Sequence, residues 1–343
     1  MKALVLEEYG KFVYEDVEKP VPGKGEVLIR VKACSVCGSD VHGMDGTTGR
    51  RQPPVIMGHE AAGVIEECGE GVTDYHPGDR VTFDSTIYCN ECEACRSGNV
   101  NLCTTRQVIG VSCDDYRRNG AFAEYITVPS YVLYPLPDNV SFVAASLVEP
   151  MSVAYHAIVQ APLPQKGAAL VMGCGTIGVL AVLILKGLGV ENIIAVDIEP
   201  RRLALAKESG ATLVIKSRTE PLAEIVKEAT GGKGVEVAYD MTGIELTVNQ
   251  CVELAQDNGY IVLVGNLNPT ISFPMVKTIL KQLKVHGSCA SAGEYTQCLE
   301  MIASGKVDTE KIVSKCVPLA EGNEWIHKVY NREDQLDKIV LIP

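Results

Sequence analysis

Three groups of residues in this chain have the types and spacing to do chemistry. The tightest is Cys89-x-x-Cys92-x-x-Cys95, followed after seven intervening residues by Cys103. With 13 cysteines present, chance supplies fewer than about 0.001 such sets, so the spacing is a signal. Four thiolates at loop spacing wrap one Zn²⁺ tetrahedrally at about 2.3 Å. A closed four-cysteine shell leaves no position for a reactant, so this zinc is structural. Its excess negative charge calls for backbone N–H groups directed at sulfur.

The second group is dispersed: Cys37-Gly38-Ser39-Asp40-Val41-His42, then Gly58-His59-Glu60, then Glu149-Pro150. Each piece alone has a structural reading, as a core cysteine, a satisfied core histidine or a helix-capping glutamate. Together they supply a thiolate, an imidazole and a carboxylate. That set closes three positions on a zinc and leaves the fourth for water or substrate, the pattern of a catalytic site. Asp40 can orient His59 through its second ring nitrogen. Ser39 and His42 can pass a proton from a buried alcohol to solvent.

The third group is Gly173-Cys174-Gly175-Thr176-Ile177-Gly178. With 32 glycines in 343 residues, chance supplies roughly 0.3 such matches, so context must decide. A strand precedes it, a helix follows, and Asp197 closes the next strand. The glycines let backbone approach a pyrophosphate at the helix N-terminus. Asp197 would hold both ribose hydroxyls and repel the 2′-phosphate of NADP, so NAD is the expected cofactor. Arg201 and Arg202 follow closely enough to count Arg202 in the cofactor site and to soften that preference.

These groups need elements to position them. The length, 343 residues, suits two domains. The first 150 residues carry short Val/Ile/Tyr-rich runs between Gly and Pro: Val27 to Lys32, Ala62 to Glu67, Arg80 to Phe83 and Ala123 to Val128. They predict a unit of short antiparallel strands. From Gly167 strands alternate with helices. Six apolar runs, beginning at Ala169, Ile193, Leu213, Val235, Tyr260 and Val285, predict a doubly wound parallel sheet. A helix from Tyr295 to Ala303 and a strand from Lys338 to Ile342 follow. The apolar stretch 168–185 is broken by glycines and reads as strand, turn and buried helix, not as a membrane span.

The order and content of these motifs resemble the zinc-dependent medium-chain alcohol dehydrogenase superfamily. Within it they are most similar to the polyol branch, such as sorbitol (L-iditol) dehydrogenase and galactitol-1-phosphate 5-dehydrogenase. The run from Cys37 to His42, Gly58-His59-Glu60-x-x-Gly63, the four-cysteine loop, Glu149-Pro150-Met151-Ser152-Val153 and the late glycine motif carry the likeness. The resemblance implies an α/β protein: a GroES-like, mainly β catalytic domain (1–154 and 290–343) and a Rossmann NAD-binding domain (155–289), with the cleft between them. It implies catalytic zinc on Cys37, His59 and either Glu60 or Glu149. Ser39 falls on the hydroxyl that takes the substrate proton, and Val264, Gly265 and Asn266 fall near the nicotinamide. L-threonine dehydrogenase is a close alternative, and a non-catalytic NAD-binding or zinc-sensing protein an alternative of another class. A dimer or tetramer is expected.

One departure stands out. Sorbitol dehydrogenases often grip the polyol with an Arg-Tyr pair where this chain has Gly287-Ser288-Cys289-Ala290-Ser291-Ala292-Gly293, with no Tyr until Tyr295. Arg50, Arg51, Arg117 and Arg118 read as solvated loop charges, or else as a seat for a substrate phosphate. A net charge of −12 without a Lys/Arg tract argues against nucleic acid or an anionic membrane as partner. The clustered thiols and an N-terminus without a leader pattern place the protein in the cytoplasm.

Overall fold

The computed structural model describes residues 1–333 and 336–343. They form two compact units: Met1–Glu149 with Tyr295–Ala303 and Thr309–Pro343, and Pro150–Glu294 with Ser304–Asp308.

The first unit is built on the strand Glu26–Ser35, whose apolar residues are all buried. It lies within a sheet ordered Leu133–Pro135, Arg80–Phe83, Glu60–Cys68, Glu26–Ser35, Ile339–Ile342, Lys315–Pro318, and Tyr125–Pro129 also pairs with it. A smaller sheet joins Lys11–Asp16, Lys2–Glu8 and Val55–Ile56. One core that includes Leu4, Leu6, Ile29, Ile65, Phe122 and Leu341 underlies them. Every strand pair within residues 1–150 is antiparallel, as expected, among the described residues. The C-terminal strands Lys315–Pro318 and Ile339–Ile342 add a parallel pair.

The second unit is a six-stranded parallel sheet, and all six expected strands are present. Their order is Leu213–Lys216, Asn192–Asp197, Ala168–Met172, Val235–Asp240, Ala255–Leu263, Lys284–Gly287. Ala168–Met172 is buried throughout because a doubly wound sheet has both faces covered. The strand expected from Tyr260 begins earlier, at Ala255. Its polar start, Gln256 to Asn258, gives no apolar signal, and a register irregularity between Val235 and Val237 accommodates it. Chain order reverses at Ala168–Met172, which makes the carboxyl edge there a topological switch point. The stretch 168–185 is the strand Ala168–Met172, a turn and the helix Thr176–Gly187. No helix among the described residues is long and apolar enough to cross a membrane.

Candidate active site

Strand register brings Cys37, His59 and Glu60 together. Ser35 ends one strand opposite Glu60, which opens the next, so Cys37 lies beside His59. The turn into His59 requires glycine: Gly58 has φ +90°, and a Cβ there would lie 2.4 Å from the Phe122 ring. Cys37 caps the short helix Gly38–Gly43; its Sγ accepts from the Ser39 N–H at 3.4 Å, while Asp40 Oδ2 accepts from the Cys37 N–H. Ligand atoms of Cys37, His59 and Glu60 all lie within 4.8 Å of one another. Glu60 Oε1 is buried without a hydrogen-bond partner. Buried polar atoms are rarely left so, and a thiol, an imidazole and a carboxylate converging there fit a zinc ion.

Two neighbours complete the electrostatics. Glu60 Oε2 accepts from Ser35 Oγ and from the ammonium of Lys338, which precedes the strand Ile339–Ile342 on the other side of Glu26–Ser35. Both partners of this ion pair are at most 2% exposed. Burial would lower the Lys338 ammonium, but Glu60, with Cys37 and Glu149 nearby, outweighs it and holds its pKa above the ordinary value. Asp40, fully buried, lies 3.5 Å from His59 Nδ1 and 3.1 Å from Arg51 Nη2. Burial favours its neutral form, yet His59 and Arg51 together hold its carboxyl far below the usual range. Ser39 and His42 are exposed on the same short helix. Glu149 opens the helix Val148–Val159, outside the three-residue cluster, and its Oε1 accepts from Ser85 Oγ at 2.9 Å. Packing raises its carboxyl pKa, though part of its surface remains open.

Cys89, Cys92, Cys95 and Cys103 converge as their spacing predicts. The Sγ–Sγ separations are 3.8 Å for Cys89–Cys95, 3.5 Å for Cys92–Cys95 and 3.6 Å for Cys103–Cys89. A tetrahedron with zinc–sulfur bonds of about 2.3 Å has edges of about 3.8 Å. Backbone N–H groups of Glu91 and Cys92 point at Cys89 Sγ, and that of Cys89 at Cys103 Sγ, at 3.3–3.4 Å. The expected donors to sulfur are therefore in place.

Residues 23–138 match the alcohol dehydrogenase GroES-like domain, and residues 176–304 match the zinc-binding dehydrogenase domain. Sorbitol dehydrogenase of Bacillus subtilis is 32% identical over 100% of this chain and 97% of its own length. The chain belongs to the zinc-binding dehydrogenase family. L-threonine 3-dehydrogenase of the same organism is also 32% identical, over 100% of this chain and 99% of its own length. An alcohol dehydrogenase of Escherichia coli CFT073, solved with NADH, superposes with a TM-score of 0.92 at 30% identity, covering 100% of this chain and 99% of that one.

The second unit brings the glycine motif and Asp197 to one sheet edge. Gly173, Asp197, Thr242 and Val264 all lie at or just past carboxyl ends of adjacent parallel strands. Gly178 lets the helix Thr176–Gly187 sit on its strand, since a Cβ would come within 1.9 Å of the Gly173 oxygen. A Cβ at Gly175, by contrast, meets nothing within 4 Å, so that side of the turn is open for a ligand. Asp197 Oδ2 accepts from the Cys174 N–H at 2.7 Å, and Oδ1 from Ile198 and Glu199. Its carboxylate thus pins the glycine turn to the neighbouring strand. Arg202 lies in the helix Pro200–Glu208 that follows. The N–H groups of Val264 and Gly265 both donate to the Asp240 carbonyl, and Asn266 is exposed beyond them.

Three placements were not legible from spacing. Lys338 and Ser35 meet at Glu60 through strand pairing, across 278 and 25 residues of sequence respectively. Arg51, expected as a solvated or phosphate-binding charge, is 4% exposed and bonded to Asp40, because the loop that carries it folds back against the helix Gly38–Gly43. Tyr295 is fully buried and stacked on Tyr134 at 4.7 Å between ring centroids, so it does not replace the absent Arg-Tyr pair.

Lys338→Met should destabilise the protein by about 3–5 kcal/mol, because Glu60 is left buried without its counter-charge. A lysine whose folded pKa is raised contributes its stability below the unfolded value and loses it only as pH rises through the folded one. The loss should therefore be the same at pH 6 and pH 8. Urea melts at the two pH values check both statements.

Proposed function

We propose that this chain interconverts a secondary alcohol of a polyol, sugar alcohol or sugar-alcohol phosphate with the corresponding ketone, using NAD and two zinc ions. The observation that carries the reading is the convergence of Cys37, His59 and Glu60 beside Ser39 in a chain that matches a sorbitol dehydrogenase end to end. When bound, zinc supplies the Lewis acid that makes a hydroxyl acidic, and NAD supplies the hydride acceptor.

The chain's own residues do the rest. Cys37, His59 and Glu60 hold the catalytic metal; the partnerless Glu60 Oε1 favours Glu60 over Glu149, whose Oε1 is engaged with Ser85. Asp40 faces one His59 nitrogen and leaves the other for the metal. Ser39 takes the substrate's hydroxyl proton, and His42, one turn on and exposed, passes a proton to solvent. Cys89, Cys92, Cys95 and Cys103 hold the structural zinc. Gly173, Gly175, Thr176, Ile177 and Gly178 cradle the pyrophosphate, Asp197 and Arg202 face the adenosine ribose, and Val264 and Asn266 flank the nicotinamide.

Free thiols at all thirteen cysteines suit a reducing compartment, and the cytoplasm is the proposed location. A homo-oligomer is supported by the strand Lys284–Gly287 at the end of its sheet, next to exposed Met275, Val276, Ile279 and Leu280.

The test follows NADH at 340 nm with sorbitol, galactitol, galactitol 1-phosphate, xylitol and L-threonine, with and without a chelator. Chelator-sensitive turnover of a polyol supports the reading; turnover of L-threonine alone overturns the substrate class. Asp197→Ser should raise the KM for NAD and cut the preference for NAD over NADP by about 10- to 100-fold, since it removes both the repulsion and the pin on the glycine turn. Parallel KM measurements with the two cofactors check this.

A further inference from the structure

We infer that Arg51 is the positioning residue of the proton-accepting end of this site, locking Ser39 and Asp40 into one arrangement. The inference rests on the dehydrogenase reading above and adds a residue to it.

Arg51 is spent on internal bonds. Its Nε and Nη2 donate to Asp40 Oδ1 at 3.3 and 3.1 Å, Nη2 also donates to Ser39 Oγ at 3.3 Å, and Nη1 donates to the Arg50 carbonyl at 3.0 Å. A guanidinium has five N–H groups, and these bonds use four of them. With so little surface left, Arg51 has no face for a substrate phosphate. The loop that carries it is itself clamped: Gln52 N–H donates to the Ser112 carbonyl at 2.9 Å, Ser112 N–H to the Arg50 carbonyl at 3.2 Å, and Arg50 Nη2 to Tyr116 Oη at 3.2 Å. The helix makes room in turn. A Cβ on Gly43 would lie 2.6 Å from Arg51 Cγ, so glycine at the end of Gly38–Gly43 is what admits the arginine stem.

The bond to Ser39 has a chemical consequence. A serine hydroxyl offers one proton and two lone pairs. Arg51 occupies one lone pair, which leaves the other for the substrate's O–H and the serine proton free to move on. The substrate proton then arrives on Ser39 Oγ as the serine's own proton departs to solvent by way of His42, and no charge accumulates on the serine. A fixed cation at 3.3 Å disfavours a doubly protonated hydroxyl, so arrival and departure are coupled. Without Arg51 an exposed serine samples its three rotamers, and only some of them accept from substrate. Asp40, the carboxylate facing His59, is fixed by the same guanidinium, so one side chain ties the metal-binding histidine to the proton acceptor.

The test compares Arg51→Gln, Arg51→Lys, Ser39→Ala and the double variant Arg51→Gln/Ser39→Ala. Arg51→Gln is expected to lower kcat by about 10- to 100-fold with little change in the KM for NAD, and to enlarge the solvent deuterium isotope effect on kcat. The double variant should be no slower than Ser39→Ala alone, because the two residues act in one step. Arg51→Lys keeps the charge but not the fork and should rescue little. Gly43→Ala, which displaces the arginine without removing any donor, should give an intermediate loss and carries the test if Arg51→Gln fails to fold. A double variant slowed by the product of the two single effects would overturn the link to Ser39. Metal analysis supplies a second readout without substrate. Zinc loss to a chelator from the Cys37 site should quicken by about 10-fold in Arg51→Gln, while the four-cysteine zinc is unaffected. Unchanged zinc release would overturn the link through Asp40. Because that arm needs no turnover, inactivity of the unsubstituted protein would count against the dehydrogenase reading alone.

Discussion

Cys37→Ser should lower turnover by at least about 10³-fold while leaving a folded protein that carries one zinc per chain instead of two. Serine is the informative replacement. Cys37 caps the helix Gly38–Gly43, and serine is among the best capping residues, so the capping box with Asp40 survives. What disappears is the only thiol in the three-residue cluster. A neutral hydroxyl replaces it poorly as a ligand, because metal ligands must bind deprotonated. The same rule sets the pH dependence of reloading. Burial disfavours a charged His59 in the metal-free site, but Asp40 and Cys37 outweigh it and raise the imidazole pKa well above its ordinary value. Zinc must displace that proton, so uptake at this site should weaken as pH falls and should release protons. Metal analysis and proton release on reloading, beside NADH formation, check the prediction. Full activity of Cys37→Ser, or retention of both zincs, would remove Cys37 from the site.

Much of this was readable in the sequence, and the reason differs by motif. The four-cysteine lobe is local: its ligands lie within 15 residues, so spacing alone fixes the geometry. The glycine turn is also local, because one strand, one turn and one helix carry it, and Asp197 sits one strand away in a parallel register. The candidate cluster of Cys37, His59 and Glu60 joins segments more than 20 residues apart, yet its residue types still mark it, since thiolate, imidazole and carboxylate are otherwise costly to bury together. Counter-charges are another matter. Lys338 and Arg51 bear the same formal charge as any surface lysine or arginine, and no periodicity separates them from the other basic residues. Lys338 is fixed by Val340 pairing with Ser35, and Arg51 by the space left at Gly43, both products of tertiary structure. The different surroundings of Glu60 and Glu149 have the same origin. In sequence both are glutamates near a metal motif; in the fold one has a buried oxygen without a partner and the other bonds Ser85.

Cys103→Ser should reduce zinc to one per chain, open the segment Cys89 to Cys103 and leave the rest of the fold standing. The lobe has little else to hold it. Its helix Glu93–Arg96 buries no residue, the following turn Val100–Leu102 buries only Asn101, and Leu102 is 56% exposed. Segments that cannot bury apolar surface depend on metal or disulfide cross-links, and with all thirteen cysteines free the metal is the available one. The core of the first unit, by contrast, draws on Leu4, Ile29, Ile65 and Phe122, none of which lies in the lobe. Opening should therefore be local, with trypsin cutting after Arg96 at least about 10-fold faster than in the parent protein while the catalytic zinc stays bound. Loss of the cross-link should also lower the apparent Tm by on the order of 10 °C. Limited proteolysis with mass mapping, beside metal analysis, decides it. A variant that resists trypsin and melts with the parent would show that packing, not zinc, holds the lobe. A variant that loses both zincs would show that the lobe supports the Cys37 site, because its own ligands supply no atom to that cluster.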